Sequence, residues 1–287
     1  MPIIDLISPW SHAAASLDAR ELHHFRGRHA TTLDLIRRQR APLLAELPAP
    51  LDWKIAAQRA ADGELLDAIR ATRDRMAEAG FRAPAQIVLS ASAAPGPIAE
   101  VIPGVADTIV LFLDRYPAAG LGRAPALASE MVAALSAAIA IFTRWNDPAQ
   151  ANPVARIAAR GVWDKWAAAR EVPLAEWIYA GGIGVHAAIA FGSGVGAQRA
   201  ATLPIPTADL RRLRAAEHEL QLHLDADLDS TGAGMLMRWL DDDAPPGMRR
   251  CADGFVVPRG AGRYLGWRML EDRVARVGVL EAVGMGA

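Results

Sequence analysis

Residues 124–142 read Ala-Pro-Ala-Leu-Ala-Ser-Glu-Met-Val-Ala-Ala-Leu-Ser-Ala-Ala-Ile-Ala-Ile-Phe, an apolar run with a single ionisable side chain, Glu130. The large apolar residues share a broad arc of a helical wheel, which predicts a helix packed against a core. Glu130 lies at the edge of that arc, so we expect its side chain to point towards packed structure. A lone carboxylate there is costly unless it is paired, hydrogen-bonded or used in chemistry.

Two interpretations of Glu130 follow from this position. In the first, it is a structural residue paired with an arginine of another helix. In the second, it is a general acid/base or an anchor for a substrate, because perturbed carboxyl groups concentrate at functional sites. Burial alone would raise the pKa of Glu130, whereas a cationic partner would lower it.

The rest of the chain predicts an α+β protein that is predominantly helical. Two short β-branched runs, residues 86–90 and 108–113, are typical of strands. Helical periodicity predicts helices over residues 15–46, 54–79, 124–145, 153–170, 173–191, 207–228, 231–240 and 261–282. We therefore expect a helical N-terminal part, residues 1–80, followed by a part with a small sheet and further helices, residues 81–287, in one continuous globular unit.

Composition and charge narrow the class of protein. The chain has 287 residues, with 31 Lys+Arg against 32 Asp+Glu, so no basic field predicts nucleic-acid binding. Cys251 is the single cysteine, which excludes an intramolecular disulfide and argues against a cysteine-based metal site. The N-terminus has no basic start and Asp5 interrupts its apolar run, unlike a signal peptide. We expect a cytoplasmic protein.

The apolar stretch 177–197 could be taken for a membrane span, since it carries no formal charge when His186 is neutral. Several glycines interrupt it, and no positively charged loop flanks it. A helix buried in a protein core is the better interpretation, and we expect no membrane association.

Four segments carry a family resemblance. They are Gly104-Val-Ala-Asp-Thr-Ile-Val-Leu-Phe-Leu113, Ser129-Glu130-Met131-Val132-Ala133, Gly181-Gly182-Ile183-Gly184-Val185-His186 and Gly262-Arg263-Tyr264-Leu265-Gly266-Trp267-Arg268-Met269-Leu270. In this order, residues 85–287 resemble the bacterial predicted zinc-dependent protease family, which is related to the gluzincins. That family places H-E-x-x-H on a helix, where the histidines bind zinc and the glutamate activates a metal-bound water. A glutamate of a later helix is its third ligand.

The sequence lacks the residues that bind zinc in this family. Ser129 and Ala133 stand where the family has its histidines, and Gly181 stands at the third-ligand position, whereas Glu130 is retained. A hydroxyl, a methyl group and a hydrogen cannot hold Zn²⁺. We therefore expect no metal and no cofactor. The resemblance implies a gluzincin-like fold in which helices 124–145 and 173–191 face each other, so that Glu130 and His186 line one cavity.

Two classes of function are compatible with these residues. The first is a metal-independent small-molecule enzyme of lyase, isomerase or hydrolase type, acting in the former zinc-protease cleft. Its expected catalytic residues are Glu130, His186 and Tyr264, and its expected substrate-binding residues are Arg263, Trp163, Trp177 and Ser129. The second is a catalytically inactive protease-like protein that binds a small-molecule or peptide ligand, or serves as a scaffold.

Simpler structural roles compete with these assignments. His186 can be a hydrogen-bonded core histidine, Tyr264 can bond a backbone carbonyl, and the tryptophans can be core. The segment His218-Glu-Leu-Gln-Leu-His223 has a metal-like composition, but five residues rotate a helix by about 140°, so its histidines diverge. An ordinary amphipathic helix is expected there, with zinc binding as the alternative.

Overall fold

A computed structural model describes residues 3–16, 18–39, 50–60, 63–91, 98–113, 124–147, 152–161, 163–192, 207–242 and 244–284. The protein is α+β, 67% helical, with a small four-stranded mixed sheet. The predicted fold class is confirmed at this level.

The N-terminal part begins with strand β1 and continues with five helices. Their bounds are β1 Ile3–Asp5, α1 Ile7–Ala15, α2 Ala19–Arg28, α3 Ala30–Gln39, α4 Pro50–Ala60 and α5 Gly63–Glu78. The helix predicted over 15–46 is broken, because the Asp18 side chain caps α2 at its N-terminus and a turn at His29 separates α2 from α3. Residues 40–46 of that prediction lie outside the described residues.

The sheet lies at the centre of the chain. Strands β2 (Gln86–Ser90), β3 (Ala99–Ile102) and β4 (Thr108–Phe112) join β1 in the order β1-β2-β4-β3. β1, β2 and β4 are parallel, and β3 is antiparallel. Every residue of β4 is buried, which accounts for its continuous apolar sequence. The strands predicted at 86–90 and 108–113 are confirmed, and β1 links the N-terminal part to the same sheet.

The C-terminal part is helical. Its helices are α6 Ala124–Trp145, α7 Pro153–Ala158, α8 Lys165–Ala168, α9 Leu174–Phe191, α10 Thr207–Ala215, α11 Glu217–Asp227, α12 Ala233–Trp239 and α13 Ala261–Val283. The predicted helix 153–170 is two short helices capped by the side chains of Asn152 and Asp164. The helix at 207–228 is interrupted at Ala216, and α13 is kinked at Gly278, where φ is 80°.

Helix α9 is the central helix of this part, and it runs antiparallel to α6. Ala133 packs against Gly192 near the C-terminus of α9, and Ile141 packs against Gly184. Arg144, near the C-terminus of α6, forms a buried ion pair with Glu176 in the first turn of α9. These three contacts fix the register of the two helices.

Helix α13 crosses α9 at glycines. A Cβ atom placed on Gly182 would lie 2.9 Å from the backbone nitrogen of Trp267, and one on Gly266 would lie 3.0 Å from the nitrogen of Gly182. The two backbones are in direct contact here, so this crossing requires residues without side chains.

Within the described part of the chain, α9 alone is long and apolar enough to cross a membrane, and 72% of it is buried inside the protein. A helix that is buried to this extent is typical of a protein core, which is what the sequence predicts for this apolar stretch.

Candidate functional site

Glu130 lies in the N-terminal half of α6 and is exposed, while the next three residues are buried. The expectation that it points into packed structure is wrong, because its side chain is exposed to solvent. Its carboxyl group is still partly desolvated, which raises the pKa of Glu130, and the positive charge of Arg59 in α4 opposes that rise. Glu130 is thus a surface carboxyl group with a perturbed proton affinity.

The register of α6 and α9 separates Glu130 from His186. Ala133 lies opposite Gly192, so Glu130 lies beyond the C-terminal end of α9, while His186 lies almost two turns back within it. At about 1.5 Å of rise per residue, the two residues are offset by roughly 13 Å along the helix axes. No contact between the two side chains is seen among the described residues, and the shared cavity that the family resemblance implies stays a prediction.

His186 is a buried core residue. It is 8% exposed, and its Nε2 lies 3.0 Å from the backbone carbonyl oxygen of Trp267 in α13. Since a carbonyl only accepts, Nε2 carries the proton of this hydrogen bond. Burial lowers the pKa of His186, so the ring is neutral at neutral pH. This geometry corresponds to the hydrogen-bonded core histidine of the sequence analysis, and a catalytic role stays a prediction.

Tyr264 is fully buried in α13, and its hydroxyl group donates to a carboxylate oxygen of Glu217 in α11. Arg268 donates to the other oxygen of Glu217 through Nε, at 3.0 Å. Burial and the bond to Glu217 raise the pKa of Tyr264 to about 12. The structural alternative with a backbone-carbonyl partner is therefore wrong in its partner, because a side-chain carboxylate holds this hydroxyl, and a catalytic role of Tyr264 stays a prediction. The arrangement ties α11 to α13.

Arg263 belongs to a group of charged residues at the start of α13. Its guanidinium forms an ion pair with Asp242, which also accepts the backbone N–H of Gly260 at 2.6 Å. Nearby, Lys165 bonds Glu100 of β3 at 3.0 Å. Burial raises the pKa of Glu100 and lowers that of Arg263. The Lys165–Glu100 pair joins α8 to the edge of the sheet, and the Arg263–Asp242 pair joins α13 to the segment that follows α12. A role of Arg263 in substrate binding stays a prediction.

The two candidate tryptophans are core residues. Trp163 and Trp177 pack with Trp145 at ring-centroid distances of 5.2–6.3 Å. The indole N–H of Trp163 donates to Gln39 at 3.0 Å. Trp145 ends α6, so this cluster lies roughly 22 Å along the helix from Glu130. The side chain of Ser129 lies outside the described residues.

A cavity of about 400 Å³ opens elsewhere, between α10 and the segment that precedes α13. Its walls combine three arginines, one aspartate and a short apolar surface: Arg212, Arg249, Arg259, Asp209, Val256, Val257 and Pro258. Sequence reasoning missed this cavity, since its residues come from two segments about forty positions apart and form no motif.

Two strand-like segments shape the cavity wall. Val257 donates its backbone N–H to Arg249 at 2.9 Å, and Arg250 forms an antiparallel bridge with Val256. We call residues 249–257 the hairpin. Arg249, at the start of the hairpin, is 8% exposed, whereas Arg212 of α10 and Arg259 are exposed. The lining therefore combines one buried arginine with two exposed ones.

The charge of the cavity favours anions. Three arginines and one aspartate belong to its lining, so basic side chains outnumber acidic ones there. A guanidinium offers paired N–H donors that match carboxylate and phosphate oxygens. Val256, Val257 and Pro258 add apolar contact area beside these donors.

The hairpin also contributes to a group of side chains that could hold a metal. Within the described residues, His223, Cys251 and Asp253 place one potential ligand atom each within 4.8 Å of one another. His223 belongs to the H-E-x-x-x-H segment, but His218 and Glu219 of that segment are exposed and outside this group.

Comparison of the chain with protein-family models, curated proteins and solved structures finds no match. The resemblance to the zinc-dependent protease family therefore stays a prediction.

Proposed function

We propose that the protein binds a small molecule carrying a carboxylate or phosphate group in the three-arginine cavity. The observation that carries this proposal is the convergence of Arg212, Arg249 and Arg259 on one opening of about 400 Å³. Ligand pockets typically span about 300–1,000 Å³, so the volume suits a small metabolite. This function belongs to the binding-protein class of the sequence analysis, at a site other than the one expected there.

The arrangement of charges supports an anion held at one end. Arg249 is largely shielded from water, so its attraction to a bound anion is less screened than that of an exposed arginine. Arg212 and Arg259 are exposed and would close on the ligand from the mouth. Asp209 offers an acceptor for a hydroxyl or amine group of the same ligand. The proposed ligand is therefore an anion with a polar substituent and a small apolar body.

Arg212→Gln and Arg259→Gln are expected to weaken binding of pyrophosphate or citrate by about five- to tenfold each, since each removes one charge-assisted contact at an exposed site. Isothermal titration calorimetry measures the dissociation constants. Arg211→Gln is the matched control, because Arg211 is an exposed neighbour on α10 that does not line the cavity. Failure of both anions to bind, or equal losses in Arg211→Gln, would contradict the proposal.

A second candidate function is the metal-independent acid/base enzyme with Glu130 as its catalytic group. The raised pKa of Glu130 favours it, because a proton donor or acceptor works best with a pKa shifted towards the working pH. A gluzincin-like origin of the fold belongs to the same hypothesis. If a Glu130→Gln variant kept full activity on a substrate that the protein turns over, the acid/base enzyme hypothesis would be refuted.

The pKa of Glu130 gives a direct prediction. Because the folded state holds this proton more tightly than the unfolded chain, the stabilising contribution is present below the unfolded pKa and is lost as the pH rises through the folded pKa. Glu130→Gln should therefore be slightly more stable than the native chain at neutral pH, and this difference should shrink in acid. Carboxyl-carbon NMR titration should show a pKa above the ordinary glutamate value, and an ordinary or lowered value would refute the assignment.

A further inference from the structure

We propose that His223, Cys251 and Asp253 form a zinc site between α11 and the hairpin. The three side chains come from two separate elements, and their potential ligand atoms lie within 4.8 Å of one another. None of the three residues belongs to the lining of the anion cavity, and the proposal is independent of the proposed function.

The spacing suits tetrahedral zinc. With Zn–S near 2.3 Å and Zn–N or Zn–O near 2.0–2.2 Å, a tetrahedral arrangement places ligand atoms roughly 3.3–3.8 Å apart. His223 Nε2 lies 3.5 Å from Asp253 Oδ2, which is long for a hydrogen bond but falls within that range. The remaining ligand atoms need to approach by roughly 1 Å or less to complete the site.

The tight turn of the hairpin holds two of the ligands in place. Cys251 donates its N–H to Phe255 at 2.7 Å, and Gly254, with φ of 95°, donates to Cys251 at 3.0 Å. Asp253 Oδ1 accepts the N–H of Phe255 at 3.0 Å, which leaves Oδ2 directed towards His223. Cys251 and Asp253 are therefore oriented by the backbone before any metal binds.

The third ligand is oriented by stacking. The imidazole of His223 stacks on the ring of Phe255, with centroids 4.4 Å apart and planes 13° from parallel. In metal sites, residues that contact a ligand without binding the metal themselves fix the orientation of the ligand ring. Phe255 thus supports two ligands, one through its backbone and one through its ring.

The ligand types select the metal. A thiolate, an imidazole and a carboxylate together favour Zn²⁺ and disfavour Mg²⁺ and Ca²⁺, which prefer oxygen ligands alone. One thiolate and one carboxylate balance the two charges of the ion. Three protein ligands leave a fourth position for water or an external ligand.

Binding of zinc displaces a proton. Burial raises the pKa of the Cys251 thiol, so the sulfur is protonated at neutral pH without metal. Asp227 and Arg238, the other charged groups near this sulfur, form an ion pair at 2.9 Å, and their effects on the thiol are of opposite sign. The zinc–sulfur bond forms as the S–H bond breaks, and the proton passes to the solvent.

The test uses the full chain freed of metal and titrated with ZnCl₂ or CoCl₂. We expect one ion per chain, release of a proton, and a thiolate-to-cobalt charge-transfer band. His223→Gln and Cys251→Ser should each weaken zinc binding at least tenfold, and Cys251→Ser should abolish the band. His218→Gln, on the same helix but outside the group, should bind as the native chain does.

Three results would overturn this site. These are the absence of binding, zinc binding without the cobalt charge-transfer band, and a loss in His218→Gln equal to that in His223→Gln. The thermal midpoint of each metal-free variant should match that of the metal-free native chain, which separates ligand loss from misfolding. Arg212→Gln should leave zinc binding unchanged, so failure of the anion proposal and failure of the zinc site are distinguishable.

Discussion

Gly182→Ala is expected to lower the free energy of unfolding by about 3 kcal/mol or more. The new methyl carbon would lie 2.9 Å from the backbone nitrogen of Trp267 and in closer contact with the carbonyl oxygen of Gly266. Backbone atoms cannot rotate away, so α9 and α13 would have to separate. Separation would also stretch the bond from His186 to Trp267. The ordinary gain of roughly 1 kcal/mol for Gly→Ala in a helix is smaller than this cost.

The neighbouring glycine provides the control. A Cβ atom on Gly181 would lie 3.7 Å from Cγ of Arg263 and 3.8 Å from Cδ2 of Leu240, which are ordinary contacts. Gly181→Ala should therefore leave stability unchanged or raise it by up to about 1 kcal/mol. Urea unfolding of both variants measures the difference. If both variants changed the free energy of unfolding equally, the backbones of α9 and α13 would not be in direct contact at Gly182.

Arg144→Met is expected to cost about 3–5 kcal/mol of stability, because it leaves the carboxylate of Glu176 buried without its cation. Arg144 donates to Glu176 through Nε at 2.8 Å and to the backbone oxygen of Val283 at 3.0 Å, and both charged side chains are almost fully buried. Asn152 adds one bond to the same carboxylate, at 3.0 Å. A single amide cannot replace the missing charge.

Two comparisons sharpen this prediction. The double variant Arg144→Met with Glu176→Leu removes both charges, so it should recover much of the loss. Arg160→Ala breaks the exposed pair with Glu171, at 2.8 Å, and should cost about 1 kcal/mol or less. Denaturant unfolding of all three variants gives the values. A double variant no more stable than Arg144→Met alone would contradict the account of an unpaired buried charge.

The elements with strong periodicity were predictable from the sequence. The strands at 86–90 and 108–112 and the long helices α6 and α9 match their apolar patterns, because most of their residues whose burial is described are buried. β1 and β3 were missed, since strands of three and four residues are too short to establish a period. The break at Ala216 was missed because apolar spacing continues across it.

The candidate site was less predictable. The sequence marked Glu130 and His186 as candidates, and burial raises the pKa of Glu130 and lowers that of His186, while their catalytic roles stay predictions. The expected cavity between them depended on the register of α6 and α9, which glycine contacts and the Arg144–Glu176 pair decide. Such long-range packing leaves no local signal. The same holds for the cavity and the proposed zinc site, whose residues come together through the hairpin.

The most direct test of the central claim is to locate the bound anion by hydrogen–deuterium exchange, with and without saturating pyrophosphate. The cavity at the hairpin predicts slower exchange in residues 207–215 and 249–259, with no change in residues 124–145. Protection confined to 124–145, around Glu130, or no protection at saturation, would contradict the three-arginine cavity as the functional site.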